Sequence, residues 1–483
     1  MSSATTSTSP GVTGRDSRRW LALGLIAAAQ FMVIMDTSII GVALPEMQHD
    51  LDFTPEGLSW VFNAYVVAFG GLLLLGGRLS DLFGARRIFA TGWAILTAGS
   101  LAAGLANNVP VELVGRALQG AGSALIAPAA LTLLFTIFGG TPKELTRALA
   151  LYGAAAPAGG TAGVFLGGLL TQYASWPWVF FINLPLAAVV LAVTPSVMPT
   201  GTTRRGSLDL AGAVTVTAGL AAIVFAIVRA PQQGWTSTGT LIAGLGGIAL
   251  LGLFAAGQAR REQPLVRLAI FKTPNLAGAN AAQFFLGAAW IPMFFFVNLY
   301  LQQVLGLGAF ASGAALLPLT LTIMVGMVSV APRLIARFGP KTMTVAGLAT
   351  LAGGLVWLSF LRPTGTFWVD VLPATLVTAA GMAMAFIPSL GLALSSVPPQ
   401  EAGLAAGIVN TNYQIGSAIG LAAMTAVAAA AGAPGVSGLT DGFSAGFLGA
   451  ASIAAVGALI AVLCLRTPQA AASDQTAGES VAG

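Results

Sequence analysis

The sequence predicts an all-α membrane protein with fourteen transmembrane helices, arranged as two six-helix bundles with two extra helices inserted between them. Three observations predict it. Of the 483 residues, 56% are hydrophobic and only 8% charged, where a soluble domain carries about 25% charged residues. Crossing the hydrocarbon core as a helix takes roughly 20 apolar residues, and the chain supplies fourteen such runs. The short segments between them hold nearly all the charge.

In order, the first span (20–45) follows Arg18 and Arg19 and ends at Pro45, with one acid, Asp36, inside it. The second (57–77) runs into a glycine- and arginine-rich loop, and the third (87–106) leaves that loop. The fourth (111–138) starts after Pro110 and contains Arg116. The fifth (147–170) carries Pro157 and three glycines, and the sixth is 178–196. Spans seven and eight (209–229 and 239–258) form the inserted pair. Spans nine to fourteen (277–301, 311–332, 342–361, 367–390, 403–430 and 442–465) complete the chain. The expected units are therefore a polar, disordered tail at 1–19, a bundle at 20–196, the inserted pair at 209–258, a bundle at 277–465 and a second disordered tail at 466–483.

An even number of spans leaves both termini on one side. Arginine and lysine mark the cytoplasmic side, and 18 of the 21 lie on the side of the N-terminus. Only Arg229 and Arg362 lie on the other, and Arg116 lies within a span. Both termini are therefore expected in the cytoplasm. The net charge of +5 is spread over loops facing anionic headgroups, which is an orientation signal and not a nucleic-acid stripe. One cysteine and one histidine exclude a disulfide framework and argue against a resident metal. No nucleotide-binding GxxxxGK[ST] loop occurs, so no cofactor is expected.

The halves look duplicated. GGRLSDLFGARRIF (76–89) aligns with APRLIARFGPKTMT (331–344) at an offset of 255, pairing Arg78 with Arg333, Gly84 with Gly339 and Arg86 with Lys341. In the first copy Gly77 and Gly84 permit a tight turn, and Asp81 is expected within reach of Arg78, Arg86 and Arg87. A solvated loop that only orients the protein is the alternative. On the fifth span Gly159, Gly163 and Gly167 recur every four residues, a spacing that lets two membrane helices approach closely, one turn beyond the kinking Pro157.

A carboxylate buried in a membrane costs several kcal/mol, so Asp36 calls for a function or a partner. Asp36 and Arg116 lie at similar depths, about 13 and 9 Å inside their outer helix ends. Arg116, Gln119, Gly120 and Ser123 form one polar stripe. A pair between the two charges is possible and the sequence does not decide it; Asp36 could instead be a structural acid beside Thr37 and Ser38, with Arg116 snorkelling outward. Asn63, Gln119, Gln283, Trp290, Asn410, Tyr413 and Gln414 are candidate cavity residues, each equally suited to an interhelical hydrogen bond. Met382, Met384, Phe294 and Phe295 could form an adaptable apolar wall.

MDTSIIGVALP (35–45), GRLSDLFGARR (77–87), RALQGAGSA (116–124), GAAAPAGGTAGVFLGG (153–168) and GLAAGIVNTNYQIGSAIG (403–420) resemble the major facilitator superfamily, more narrowly its fourteen-helix drug:proton antiporters. The resemblance implies an inner-membrane exporter of amphipathic organic compounds that exchanges cargo for protons by alternating access. It implies Asp36 and Arg116 as the proton-coupling residues and the 77–87 loop, with Asp81 as its acid, as a cytoplasmic latch between the bundles. It also implies that the helix-5 glycine face forms the interface between bundles. A monomer in the lipid bilayer is expected. A proton crossing 100 mV supplies about 2.3 kcal/mol, roughly a 50-fold concentration ratio. A narrow-substrate transporter of the same fold and a non-transporting membrane sensor are the alternatives, and no catalytic constellation argues for an enzyme.

Overall fold

The computed structural model describes residues 12–54, 57–140, 142–200, 209–261, 264–265, 270, 272–397 and 402–466. These residues are helical almost throughout, and thirteen of the helices are long and apolar enough to cross a membrane. Of the expected spans the third, α3 (Ala85–Gly104), falls short of that mark; its first turn carries Arg86 and Arg87.

The first half comprises α1 (Val12–Asp50), α2 (Trp60–Phe83), α3, α4 (Val109–Phe138), α5 (Pro142–Tyr173), and the short α6 (Trp178–Phe181) that leads into α7 (Asn183–Val197). Next come α8 (Leu210–Gln233) and α9 (Thr238–Arg260). The second half holds α10 (Leu276–Leu299), α11 (Ala309–Ala315), α12 (Leu317–Val325), α13 (Ala331–Phe338), α14 (Pro340–Leu358), α15 (Leu372–Ser395), α16 (Ala402–Ala431) and α17 (Val436–Cys464). Span ten is thus three pieces, α11 to α13. Pro318 and Pro332 each restart a helix in its first turn, where a missing N–H costs nothing. A wide π-turn at Gly326–Val330 joins the last two pieces.

Of the tail expected at 1–19, residues 1–11 lie outside the described residues, and helix α1 begins at Val12. Arg19 holds that end: its Nη2 donates to Glu144 Oε2 at 2.7 Å and to the Ile137 carbonyl at 3.1 Å. Trp20 packs on Phe138, with ring centroids 5.4 Å apart. The tail at 466–483 lies outside the described residues beyond Arg466.

The packing repeats between halves. α1 packs on α5 as α10 packs on α16; α3 packs on α4 as α14 packs on α15; α3 meets α7 as α14 meets α17. The aligned loops share one backbone: Gly84 has φ 90° and Gly339 has φ 80°, a region open to glycine, and each is the single residue between two helices. A side chain at either would be strained at that positive φ, so glycine is what permits helix to follow helix without a loop.

The helix-5 glycine stripe differs from expectation. A Cβ at Gly159 would strike the Phe31 carbonyl, one at Gly163 the Met35 carbonyl and Ser38, and one at Gly167 the Ile39 carbonyl. All four of those residues belong to α1, so the stripe packs inside the first half and not between the bundles. The second half copies it, with Gly416 and Gly420 against the Phe284 and Ala288 carbonyls of α10. Helix α5 meets the other half through a neighbouring face, where Gly168 abuts Ala309 and Phe310, and the Val164 carbonyl abuts Gly313.

The halves also meet along α2 and α16, where Gly70 faces Gln414 and Gly407 faces Leu74. Helix α8 packs on both α2 and α16, and α9 packs on α8. Buried Asp209 ties this pair together. It caps α8 through Gly212 N–H (2.7 Å) and accepts from Gln258 (2.5 Å) and Arg261 (3.0 Å) at the end of α9. Side chains such as Ile242, Leu245 and Leu253 leave α9 apolar and exposed, as a lipid-facing helix requires.

Candidate functional site

The polar stripe of α4 is turned inward. Arg116 is fully buried (0% exposed) and Asp36 of α1 is 1% exposed. Arg116 Nη1 donates to Asp36 Oδ2 at 2.9 Å and to Gln119 Oε1 at 2.7 Å, and its Nε donates to the Val61 carbonyl of α2 at 2.9 Å. The guanidinium lies over the Tyr65 ring at 4.7 Å and the Phe180 ring at 6.0 Å, a cation–π arrangement that partly replaces lost hydration. The other oxygen of the acid, Asp36 Oδ1, accepts from Gln119 Nε2 at 3.1 Å and from Asn183 Nδ2 at 2.9 Å. Both amides also donate to Ser100 Oγ at 2.9 Å.

Asp36 therefore sits inside the first half, among α1, α3, α4 and α7. Thr37 and Ser38 do not hold it, since their hydroxyls turn back to the Ile34 carbonyl at 2.7 and 3.1 Å. Nor does Arg116 snorkel. The sequence reading missed Asn183, Ser100, and Tyr65, whose hydroxyl donates to Ser123 Oγ at 2.8 Å. Position Gly120 of the stripe is where the Tyr65 carbonyl comes too close for a Cβ, which sets how tightly α2 and α4 pack.

Chemically this is a carboxylate with every near donor supplied by protein. Ionised Asp36 is matched by one cation and two amides. Protonated Asp36 would cancel the attraction to Arg116 and leave a buried guanidinium short of a counter-charge, so the two protonation states favour different arrangements.

The 77–87 loop is built differently from the expected knot. Asp81 is exposed and makes no ion pair among the described residues, and Arg87 is exposed beside it. Arg86 points to the end of α7, where its Nη1 donates to the Pro195 carbonyl at 3.3 Å and the Met198 carbonyl at 3.2 Å. It thereby satisfies terminal helix carbonyls and is drawn away from Asp81. Arg78 is half-buried near the end of α2, and Gly77 faces Pro128 of α4.

The candidate cavity residues do not converge on one pocket. Gln283 Nε2 bridges α10 to α15 through the Phe386 carbonyl (3.1 Å) and Ser389 Oγ (2.9 Å). Tyr413 stacks edge-on with Phe386 at 5.7 Å. Trp290 is buried in the second half, and Asn410 is half-buried on α16. Asn63 is fully buried with no partner for either amide atom, and Gln414 sits against Gly70 on the seam between halves. A separate cavity of about 340 Å³ lies between α12 and α15, lined by Leu321, Val325, Val330, Ala383 and Met384. Of the expected apolar wall, Met384 lines that cavity, whereas Phe294 packs against Gly41 of α1 and Phe295 against Phe62 of α2.

The halves are also joined by polar contacts toward the C-terminal end of α1. Gln302 Nε2 donates to the Val42 carbonyl at 3.0 Å and Gln303 Nε2 to Gln48 Oε1 at 3.1 Å. Phe165 and Phe310 stack edge-on at 5.8 Å close by.

Comparison with known proteins gives a consistent result. The profile described as Major Facilitator Superfamily matches residues 26–421. The cephamycin export protein of Amycolatopsis lactamdurans is 35% identical over 97% of this chain and 98% of its own length. The puromycin resistance protein of Streptomyces alboniger is 37% identical over 86% and 83%, and the lincomycin resistance protein of Streptomyces lincolnensis 32% over 93% and 92%. A crystal structure of a nucleoside transporter superposes with TM-score 0.66 at 15% identity, covering 93% of this chain and all of that one; this likeness concerns the fold alone.

Proposed function

Because the chain belongs to the Major Facilitator Superfamily, a multi-pass transporter family, we propose that it is a proton-coupled antiporter exporting amphipathic organic compounds by alternating access. Its relatives' named antibiotics differ widely in chemistry, which supports export of drug-like molecules over uptake of a metabolite. The proposed topology has fourteen spans in one monomer, with α3 counted among them, two six-helix halves, α8 and α9 inserted, and both termini cytoplasmic. The recurrent packing of the halves and the arginine and lysine distribution support it.

The observation that carries the coupling proposal is the buried Asp36–Arg116 pair with its amide collar. Proton binding at Asp36 loosens the pair inside the first half and is felt by α1, α4 and α7 together. The outer ends are tied across the halves while Asp81 stands apart from Arg86, the arrangement of an inward-open state. In the opposite state the 77–87 loop would close on the second half. Gln414 on the seam, Asn63 of α2 and Asn410 of α16 are the proposed cargo contacts.

The test compares wild type with Asp36→Asn in proteoliposomes carrying an imposed pH gradient, with puromycin and ethidium as cargo. Wild type should move cargo against proton flow and lose that movement when a protonophore is added, while Asp36→Asn should not respond to the gradient. Wild-type flux indifferent to the protonophore, or equal gradient response in both proteins, would refute the proposal.

A further inference from the structure

We infer that Glu112 is a second proton-binding site, placed to pass its proton to Asp36 while exchanging partners with it at Arg116. The inference deepens the coupling proposal and rests on Asp36 being the coupling acid. Glu112 lies in the first turn of α4, one turn or about 6 Å along the axis before Arg116. Its backbone N–H bonds to the Asn108 carbonyl at 3.3 Å. The side chain is fully buried (0% exposed), and among the described residues neither Oε1 nor Oε2 has a hydrogen-bond partner.

An ionised carboxylate in that position would lack the compensation that buried charges require. The neutral acid is the form that this pocket accepts. A second observation points the same way: Arg116 Nη2 is also buried without a partner. A vacant donor on the cation and a vacant acceptor on the acid therefore lie one turn apart on the same helix.

The groups acting on Glu112 are few. Arg116 shares its helix, Asp36 comes from α1, and Tyr65 comes from α2 with its hydroxyl committed to Ser123. The charges of α3, Arg86 and Arg87, are at that helix's far end, as are Glu144 and Arg147 on α5. Helix α16 brings only Tyr413 among titratable side chains. The remaining acids of α1 are Asp16, near its first turns, and Glu46 and Asp50, which with His49 lie near its last turns.

The transfer balances. Glu112 gives its proton to the Asp36 carboxylate, becoming a carboxylate itself. Asp36 becomes the neutral acid and releases Arg116 Nη1, while Glu112 takes Arg116 through Nη2. One carboxylate and one guanidinium are buried before and after, so no net charge is created in the membrane. On the proposed orientation the first turn of α4 lies toward the outer surface, and reprotonation of the buried Glu112 from outside requires the tied ends of the halves to part.

Infrared difference spectra of the purified protein across a pH step read protonated carboxylic acids without any cargo. The wild type should show the carbonyl stretch of a buried acid that disappears in Glu112→Gln and persists, shifted, in Glu112→Asp, the variant that keeps a carboxyl should the glutamine form fold poorly. The same band should remain in Asp36→Asn. An unchanged band in Glu112→Gln would overturn the inference. Failure of the coupling proposal would show instead in the transport assay of Asp36→Asn, which the infrared result does not touch.

Discussion

Arg116 and Asp36 face each other at 2.9 Å between Nη1 and Oδ2, and water reaches neither side chain. Removing one partner of such a pair leaves an uncompensated buried charge, at a cost of about 3–5 kcal/mol. Arg116→Ala should therefore melt well below wild type in detergent, whereas Asp36→Asn combined with Arg116→Gln should recover much of the loss. Differential scanning fluorimetry on wild type, Asp36→Asn, Arg116→Gln and the double variant measures the coupling, and purely additive losses would show that the contact contributes nothing.

Asn183 spends both protons of its amide within the site, on Asp36 and on Ser100. Asn183→Leu strands an acceptor on the acid and should cost about 1–3 kcal/mol. The same variant should shift the pH at which gradient-driven flux is half-maximal, because the ionised form of Asp36 loses a donor. Asn183→Asp should be worse, since it sets a second carboxylate against the first. Flux-against-pH curves superimposable on wild type would remove Asn183 from the site.

Helix contact in the first half depends on Gly159 lying against the Phe31 carbonyl, and Gly416 repeats that contact in the second half. Gly159→Ala and Gly416→Ala should each force the helices apart, at about 1–3 kcal/mol. Gly153→Ala is the control: a Cβ there meets nothing within 4 Å, and alanine favours helix. Yields of folded protein from the three variants would rank accordingly, and a Gly159→Ala protein as stable as Gly153→Ala would refute the close approach.

The bond from Gln303 to Gln48 crosses between the halves at 3.1 Å. With Cys464, the sole cysteine, replaced by serine, Gln48→Cys plus Gln303→Cys provides a site for a short thiol-specific cross-linker. Cross-linking should stop export and its reversal should restore it. Continued export with the link intact would mean that the outer ends never separate.

Much of the architecture was legible because lipid permits few solutions. Apolar runs and positively charged loops mark spans directly, and Asp36 and Arg116 stand out as charges where charge is costly. What could not be read was which helix each residue meets. The spacing of Gly159, Gly163 and Gly167 announces a close neighbour but does not say whose backbone it is; α1 answers that only in three dimensions. Asn183 and Ser100 looked ordinary, because uncharged polar residues are common in membrane helices; Asn183 meets Asp36 from 147 residues away, and Ser100 joins the site only by accepting from Gln119 and Asn183. Asp81 illustrates the reverse: local sequence offered it Arg86, but the carbonyls ending α7 compete for that guanidinium.

Helix α8 lies across the junction of α2 and α16, with α9 outside it. One flank of the molecule is consequently shuttered from the bilayer, while the opposite flank, where α5 meets α11 and α12, has no such cover from α8 or α9. An amphiphile drawn sideways out of a leaflet would find only the second flank free of α8 and α9, giving an otherwise two-fold design a front and a back.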